Sequence, residues 1–337
     1  HDALPIYEPV GTGPFVFKKY VKDSTIRYAA FDKFYRGRVK IDQLVFAIVP
    51  DASVRTQKLK TDECQLVGQP NPSDLKSLEA DKKLQVIKQP GLNISYLAMN
   101  TEKKPFDNVL VRRAINHALN RKNYIEAIYL GHAEVAKNPI PPTLWSYNKG
   151  IQDYDFNPEK AKALLKEAGL PNGFSTKLWM LPVSRGYNPN GKKMGELMKS
   201  DLEKVGIKIE LVTMDWPTYL AKSKVGEHEL IQFGWVGDNG DPDNFMNVLL
   251  SCPAVAAGSN AARWCNKDFN AQMDAGRTTT DIKKRTKAYM TAQEIFKKEA
   301  PWVTLAHATA FRALSRKISG YKMSPLGLDR FDEVQMK

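Results

Sequence analysis

Phe15 and Phe17 alternate with polar neighbours, Lys22-Asp23-Ser24 offers a turn, and Ile26, Tyr28 and Ala30 resume the period of two. Residues 13–31 therefore predict a β-hairpin. The apolar run at 44–49 predicts a buried strand. Asp51 then caps a helix carrying Val54 and Leu59, and the alternation continues with a strand at Leu66-Val67, a helix after Pro72 and strands over 84–87 and 93–99. Such alternation is the signature of an α/β fold.

From residue 105 the pattern turns helical. Asp107 is placed to cap a helix whose apolar face is Val111, Ala114, Ile115, Ala118 and Leu119, and a second helix runs to Gly131. Asn157-Pro158 opens a third, with Ala161, Leu164, Leu165 and Ala168 as its stripe and Gly169 at its end. Further on, strands are predicted at about 176–181, 207–213 and 229–236, with a helix at about 193–205. A long amphipathic helix follows over 281–298, and Pro301 ends it before a strand at 302–311. No internal repeat or low-complexity linker interrupts the series, so the two lobes expected of 337 residues share the chain.

Lys+Arg of 50 against Asp+Glu of 37 leaves a net charge of +13, which raises the question of an acidic partner. The longest basic runs, such as Lys283-Lys284-Arg285, sit in amphipathic helical patterns with acidic residues nearby, and no zinc-finger or RNA-binding spacing occurs. Nucleic acid is therefore not expected as a partner. No segment approaches the ~20 apolar residues of a spanning helix. The chain begins without Met, and His1-Asp2-Ala3-Leu4-Pro5-Ile6 translates CAC GAC GCT CTT CCG ATC, a stretch of a widely used sequencing adapter. Residues 1–6 are accordingly expected to be non-native.

Three cysteines are present, Cys64, Cys252 and Cys265, with no zinc-ligand spacing. Cys252 and Cys265 flank the Gly/Ser/Asn/Ala-rich stretch 253–262, which reads as a surface loop. A disulfide closing it would contribute about 3 kcal/mol, and two free buried thiols are the alternative.

The loop Gly237-Asp238-Asn239-Gly240-Asp241-Pro242-Asp243-Asn244 is the most polar segment that follows a buried strand. It lacks the Gly and Glu that a calcium loop needs at its sixth and twelfth positions. Asp241 is expected to N-cap a helix starting at Pro242, and Asp243 to share that turn. Asp238 differs, because it stands just past the C-terminal end of a strand, where open α/β sheets place ligand groups. Arg185 lies in the Pro/Gly-bounded loop Pro182-Val183-Ser184-Arg185-Gly186-Tyr187-Asn188-Pro189. It has the fork geometry to clamp a carboxylate, although a solvated surface role is the ordinary alternative. Gly11-Thr12-Gly13-Pro14 fails as a phosphate loop, and His1, His117, His132, His228 and His307 form no metal or catalytic motif. No nucleophile with a visible base appears, so no catalytic residue, metal or cofactor is assigned.

Gly11-Thr12-Gly13-Pro14-Phe15, Tyr96-Leu97-Ala98-Met99-Asn100, Pro105-Phe106-Asp107 and Val111-Arg112-Arg113-Ala114-Ile115-Asn116-His117-Ala118 together resemble the solute-binding proteins of peptide ABC importers. Asp51-Ala52-Ser53-Val54-Arg55, Pro158-Glu159-Lys160-Ala161-Lys162-Ala163-Leu164-Leu165 and the 237–245 loop extend the resemblance from about Val10 to the C-terminus. It is strongest to the periplasmic dipeptide-binding members from Gram-negative bacteria.

The resemblance implies a two-lobed α/β periplasmic-binding fold of the large peptide-binding type. Partial lobe I would comprise 7–90 plus 309–337, and lobe II 91–308. It further implies that Asp238 receives a dipeptide's α-ammonium and Arg185 its α-carboxylate, with Trp235 and Tyr187 as flanking walls. A dipeptide's termini lie about 5 to 7 Å apart, so one fixed anion and one fixed cation measure its length. A Cys252–Cys265 disulfide, and a Cys64 partner outside this chain, are implied in the same way. So are a monomeric periplasmic protein, delivery to an inner-membrane ABC permease, and roughly a third of a full-length relative, signal peptide included, preceding Val10. Residues 7–337 alone are expected to bind weakly or to misfold. Haem, glutathione or longer oligopeptides are the alternative cargoes of the same fold.

Overall fold

The computed structural model describes residues 9–324, 326 and 329–337, so residues 1–6 lie outside the described residues. The chain divides into two compact units, one formed by residues up to 89 and from 310 onward, the other by 90–309.

In the first unit, β1 (Phe15–Val21), β2 (Thr25–Ala30) and β3 (Gln43–Ala47) form an antiparallel sheet in that order. The predicted hairpin is present, with Asp23 at φ 56° in its turn and the Ser24 amide donating to the Val21 carbonyl at 3.1 Å. The predicted burial of the apolar run at 44–49 is corrected. Val45 is 42% and Phe46 39% exposed. Such a run establishes extended backbone, whereas burial requires a layer over the strand, and the cover on β3 is partial, with Phe331 meeting Phe46 edge-on at 5.6 Å between ring centroids while Val45 stays exposed. Helix α1 (Ala52–Lys60) is capped by Asp51, which accepts from the Val54 amide at 2.8 Å. Then come β4 (Leu66–Gly68), α2 (Leu75–Ala80) and β5 (Leu84–Pro90). Leu59, Val67, Leu78, Leu84 and Ala313 form one small core here, and Leu314, Ile318, Tyr321 and Val334 a second.

The second unit holds the main core. Its elements are β6 (Asn93–Met99), α3 (Val109–Ala118), α4 (Arg121–Tyr129), β7 (Ala133–Val135), α5 (Pro158–Glu167), β8 (Phe174–Trp179), α6 (Gly191–Glu203), β9 (Ile207–Val212), α7 (Trp216–Lys224), β10 (Leu230–Val236), α8 (Asp243–Leu250), α9 (Cys252–Ala257), α10 (Lys267–Arg277) and α11 (Ile282–Glu299). β11 (Trp302–Ser315) follows, and its last residues pair with β4 in the first unit's share of the chain, Ala313 opposite Val67. Within the second unit the strand order is β11-β6-β10-β8-β9. β6 lies antiparallel to β10, and all seven of its residues are buried. β8 is parallel to both β9 and β10. The helix face Val111, Ala114, Ile115, Ala118 and Leu119 is buried as its spacing requires.

Two local expectations are corrected. The cap of α3 is Asn108 rather than Asp107, because Asn108 has the extended backbone and its side chain accepts from the Leu110 amide at 2.9 Å. The stretch 253–262 is not a simple surface loop. Ser251 caps α9 there, Gly258 ends it at φ 78°, and Ala254, Ala261 and Ala262 are buried, the small residues serving close packing. The Cys252–Cys265 disulfide is present, with 4.5 Å between the Cα atoms, and Cys64 is a free thiol. No helix among the described residues is long and apolar enough to cross a membrane.

Candidate functional site

Three parallel strands deliver their C-terminal ends to one edge of the second unit's sheet. β8 leads into the loop carrying Arg185 and Tyr187, β9 into Trp216, and β10 into the loop carrying Asp238. Ligand groups in open α/β sheets collect at such ends. β10 also has an open side. β6 accompanies it from Leu230 to Val236, but β8 pairs only as far as Ile231↔Trp179, so beyond Ile231 that side has no strand partner among the described residues.

The Arg185 loop is held firmly. Arg185 and Asn188 exchange two backbone hydrogen bonds of 3.0 Å, the Tyr129 hydroxyl donates to the Tyr187 carbonyl at 2.8 Å, and Gln232 of β10 accepts the Leu181 amide through Oε1 at 3.2 Å. The Tyr187 ring lies across Gly234. A Cβ on that glycine would sit 2.2 Å from Tyr187 Cδ2 and 2.5 Å from the Ile94 carbonyl oxygen. Gly234→Ala is therefore expected to displace the ring and cost about 1–3 kcal/mol in urea unfolding. Unchanged stability would show that the ring is not packed there.

Tyr187 is 7% exposed, and burial pushes its hydroxyl up to about 12, with the nearby Arg185 guanidinium opposing the rise. Arg185 itself lies over the Trp216 ring at 4.8 Å, a cation–π contact, and has no acidic partner among the described residues. Trp216 stacks on Tyr219, which packs edge-on against Phe233. Sequence reasoning missed Trp216. The available signal was Asp215-Trp216-Pro217, a helix start directly after a strand, with Asp215 accepting the Thr218 amide at 3.0 Å.

On the other loop, Asp238 is exposed and has no cationic partner among the described residues. Its Oδ2 accepts from Asn244 Nδ2 at 3.0 Å. Trp235 is half-buried, its indole Nε1–H donating to Asn244 Oδ1 at 3.0 Å. The expectation that Asp241 N-caps a helix starting at Pro242 is corrected: the helix begins at Asp243 with Pro242 at the cap position, and Asp241 stands one residue before it, its side chain accepting the Asp243 amide at 3.0 Å. It also binds Arg285 Nη2 through both oxygens, at 2.9 and 2.8 Å, a partner 44 residues away that the sequence did not indicate. Of the four singled-out residues, Arg185 and Tyr187 thus share one loop, Trp235 and Asp238 are joined through Asn244, and no hydrogen bond or ion pair links the two pairs among the described residues.

A depression elsewhere on the same unit, of about 580 Å³, is lined by Arg113, His117, Asp153, Tyr154 and Lys297 among others. Its Asp153 carboxylate is already taken, pairing with Lys297 at 2.8 Å and Arg121 at 3.0 Å, while burial keeps the His117 imidazole below its ordinary pKa.

Comparison with known proteins follows the same line. The model of the bacterial extracellular solute-binding proteins, family 5 middle, matches residues 4–257. The dipeptide-binding protein of Escherichia coli (strain K12) is 47% identical over 98% of this chain and 62% of its own length. Heme-binding protein A of Haemophilus influenzae is 49% identical over 97% of the chain and 60% of its length. Among solved structures, the dipeptide binding protein from Pseudoalteromonas sp. SM9913 in complex with Met-Leu superposes with a TM-score of 0.91 at 36% identity, covering 98% of this chain and 65% of that one. The chain therefore spans about three fifths of the length of these curated relatives.

Proposed function

Because this chain belongs to the bacterial extracellular solute-binding proteins of family 5, we propose that it captures dipeptides by their charged termini, in the periplasm, for delivery to an inner-membrane ABC importer. The observation that carries this reading is the pair of opposite charges left without ionic partners, Arg185 and Asp238, at the C-terminal ends of the parallel strands β8 and β10. A zwitterion satisfies both at once. A bidentate carboxylate suits the Arg185 fork, and an ammonium suits the exposed side of the Asp238 carboxylate. Between them, the open side of β10 beyond Ile231 offers backbone groups to an extended peptide, in the manner of strand addition. Trp235 and Tyr187 flank this path, and Trp216 adds a third ring under Arg185. The role is binding rather than catalysis, with the protein acting as a monomer.

The second reading, haem as cargo, is favoured by the similarity to a haem-binding relative, and haem propionates suit Arg185 as well as a peptide carboxylate does. Asp238 favours the dipeptide, since haem brings no ammonium.

The test is calorimetric titration with Ala-Leu, with Ala-Leu amidated at its C-terminus, and with haem, up to millimolar concentration for the peptides. Preferential binding of the free acid over the amide is expected. Equal binding of both peptides, or binding of haem alone, would overturn the proposal.

A further inference from the structure

Asn244 was not singled out by any feature of the sequence, yet its side-chain amide makes three hydrogen bonds around Asp238. Oδ1 accepts the Asp238 backbone N–H at 2.9 Å and the Trp235 indole N–H at 3.0 Å, while Nδ2 donates to Asp238 Oδ2 at 3.0 Å. The polarity of the amide is dictated by these partners, since two N–H donors require the oxygen and a carboxylate requires the nitrogen. The base of this bracket is rigid. Asn244 sits in the first turn of α8, whose Phe245, Met246, Leu249 and Leu250 are buried. The residues it holds are not, because Asp238, Asn239 and Gly240 are exposed. The far end of the same loop is anchored separately, through Asp241 and Arg285, and that anchor does not touch Asp238.

We infer that Asn244 is the positioning residue of the ammonium subsite, tying Trp235 and Asp238 into one unit so that selection of a free amino terminus depends on it. The inference rests on the reading of Asp238 as the group that meets the ligand's ammonium. With Oδ2 and the backbone N–H both held, the carboxylate is ordered before a ligand arrives, which lowers the ordering cost at binding. The Trp235 ring is fixed beside it by the same amide. No other residue type of this length supplies two acceptor sites on one atom and a donor on its neighbour. Aspartate in this position would set a second carboxylate against Asp238, and alanine would release both partners.

The test uses L-alanyl-L-alanine, its N-acetylated form and its C-terminal amide, titrated into the wild-type chain, Asn244→Ala, Asp238→Asn and the double variant. Wild type is expected to prefer the free amine over the acetylated peptide. Asn244→Ala is expected to shrink that preference about tenfold while leaving the acid-over-amide preference, set at Arg185, within twofold. In the Asp238→Asn background, Asn244→Ala is expected to change the amine preference less than twofold, the non-additivity of two residues acting as one. An amine preference that survives Asn244→Ala, or a parallel loss of both preferences, would overturn the inference. Absence of any amine preference in wild type would overturn the reading of Asp238 itself, and is seen before any variant is made. A ligand-free measurement stands beside these. Hydrogen exchange of the Trp235 indole N–H is expected to quicken at least tenfold in Asn244→Ala, and an unchanged rate would contradict the bracket.

Discussion

Arg185→Gln lowers dipeptide affinity about 100-fold and abolishes the distinction between a free C-terminal acid and its amide, and Asp238→Asn lowers it about 30-fold and abolishes the distinction between a free amine and its acetylated form. Both expectations follow from the charges that neither residue neutralises internally. Breaking one partner of a hydrogen-bonded charge pair costs about 2–5 kcal/mol, and each 1.4 kcal/mol is tenfold in affinity. Arg185 belongs higher in that range because it is half-buried and already oriented by Trp216 at 4.8 Å. Asp238 belongs lower because it is exposed and its charge is screened by water until a ligand covers it. Titration calorimetry with the three peptides measures all four quantities. An Arg185→Gln protein that still prefers the acid would remove Arg185 from the site.

Acid lowers the stability of the second unit well before its carboxylates titrate, because two histidines are buried neutral. His228 Nε2 meets the Ala261 carbonyl at 2.6 Å and His307 Nδ1 the Asn93 carbonyl at 2.7 Å, so each donates from that nitrogen. The remaining nitrogens, Nδ1 of His228 and Nε2 of His307, are buried without a partner, and a proton placed there would have no acceptor. Burial accordingly pushes both imidazoles down from 6.5 to about 4, for His228 with Lys103 and Arg263 adding to the fall and Glu102 opposing it. In the unfolded chain they protonate near 6.5, so as pH falls below that value the unfolded state gains protons that the folded state does not. Stability contributed by the neutral rings is full above 6.5 and is lost as pH falls toward 4, at about 2 kcal/mol per histidine by pH 5. Urea midpoints at pH 7 and pH 5 measure the loss. His228→Gln and His307→Gln should each flatten the dependence, whatever they do to stability at pH 7. A slope that neither variant alters would contradict the account.

Much of the fold was legible because local and global signals agree. Period-two alternation located β1 and β2, the apolar run at 93–99 located the fully buried β6, and Asn157-Pro158 with Gly169 bounded α5 within a residue or two. Burial was harder to read. The run at 44–49 looks as apolar as β6, but β6 lies between β11 and β10 with every residue buried, whereas β3 is the last strand of a three-stranded sheet. Sequence supplies the strand, and the neighbours decide its burial.

The candidate site divides in the same way. The place of Asp238 just past the C-terminal end of β10 was legible in the sequence, whereas its role toward a ligand's ammonium was implied only by the family resemblance. What surrounds it was not legible, because each partner is chosen by tertiary geometry. Arg285 reaches Asp241 across 44 residues, and Trp216 meets Arg185 from the first turn of α7. Asn244 looked like one more polar residue in a turn, although three of the site's hydrogen bonds pass through it. Gly234 gave no signal either, since its need for a missing Cβ appears only when the Tyr187 ring is laid across it.

A crystal structure of the protein grown with Ala-Leu shows whether one dipeptide spans Asp238 and Arg185. The ligand's ammonium nitrogen is expected within about 3 Å of an Asp238 oxygen, its carboxylate forked on the Arg185 guanidinium at a similar distance, and its backbone along the open side of β10. A ligand bound in the opposite direction, or anywhere that leaves Arg185 and Asp238 without its termini, would contradict that placement.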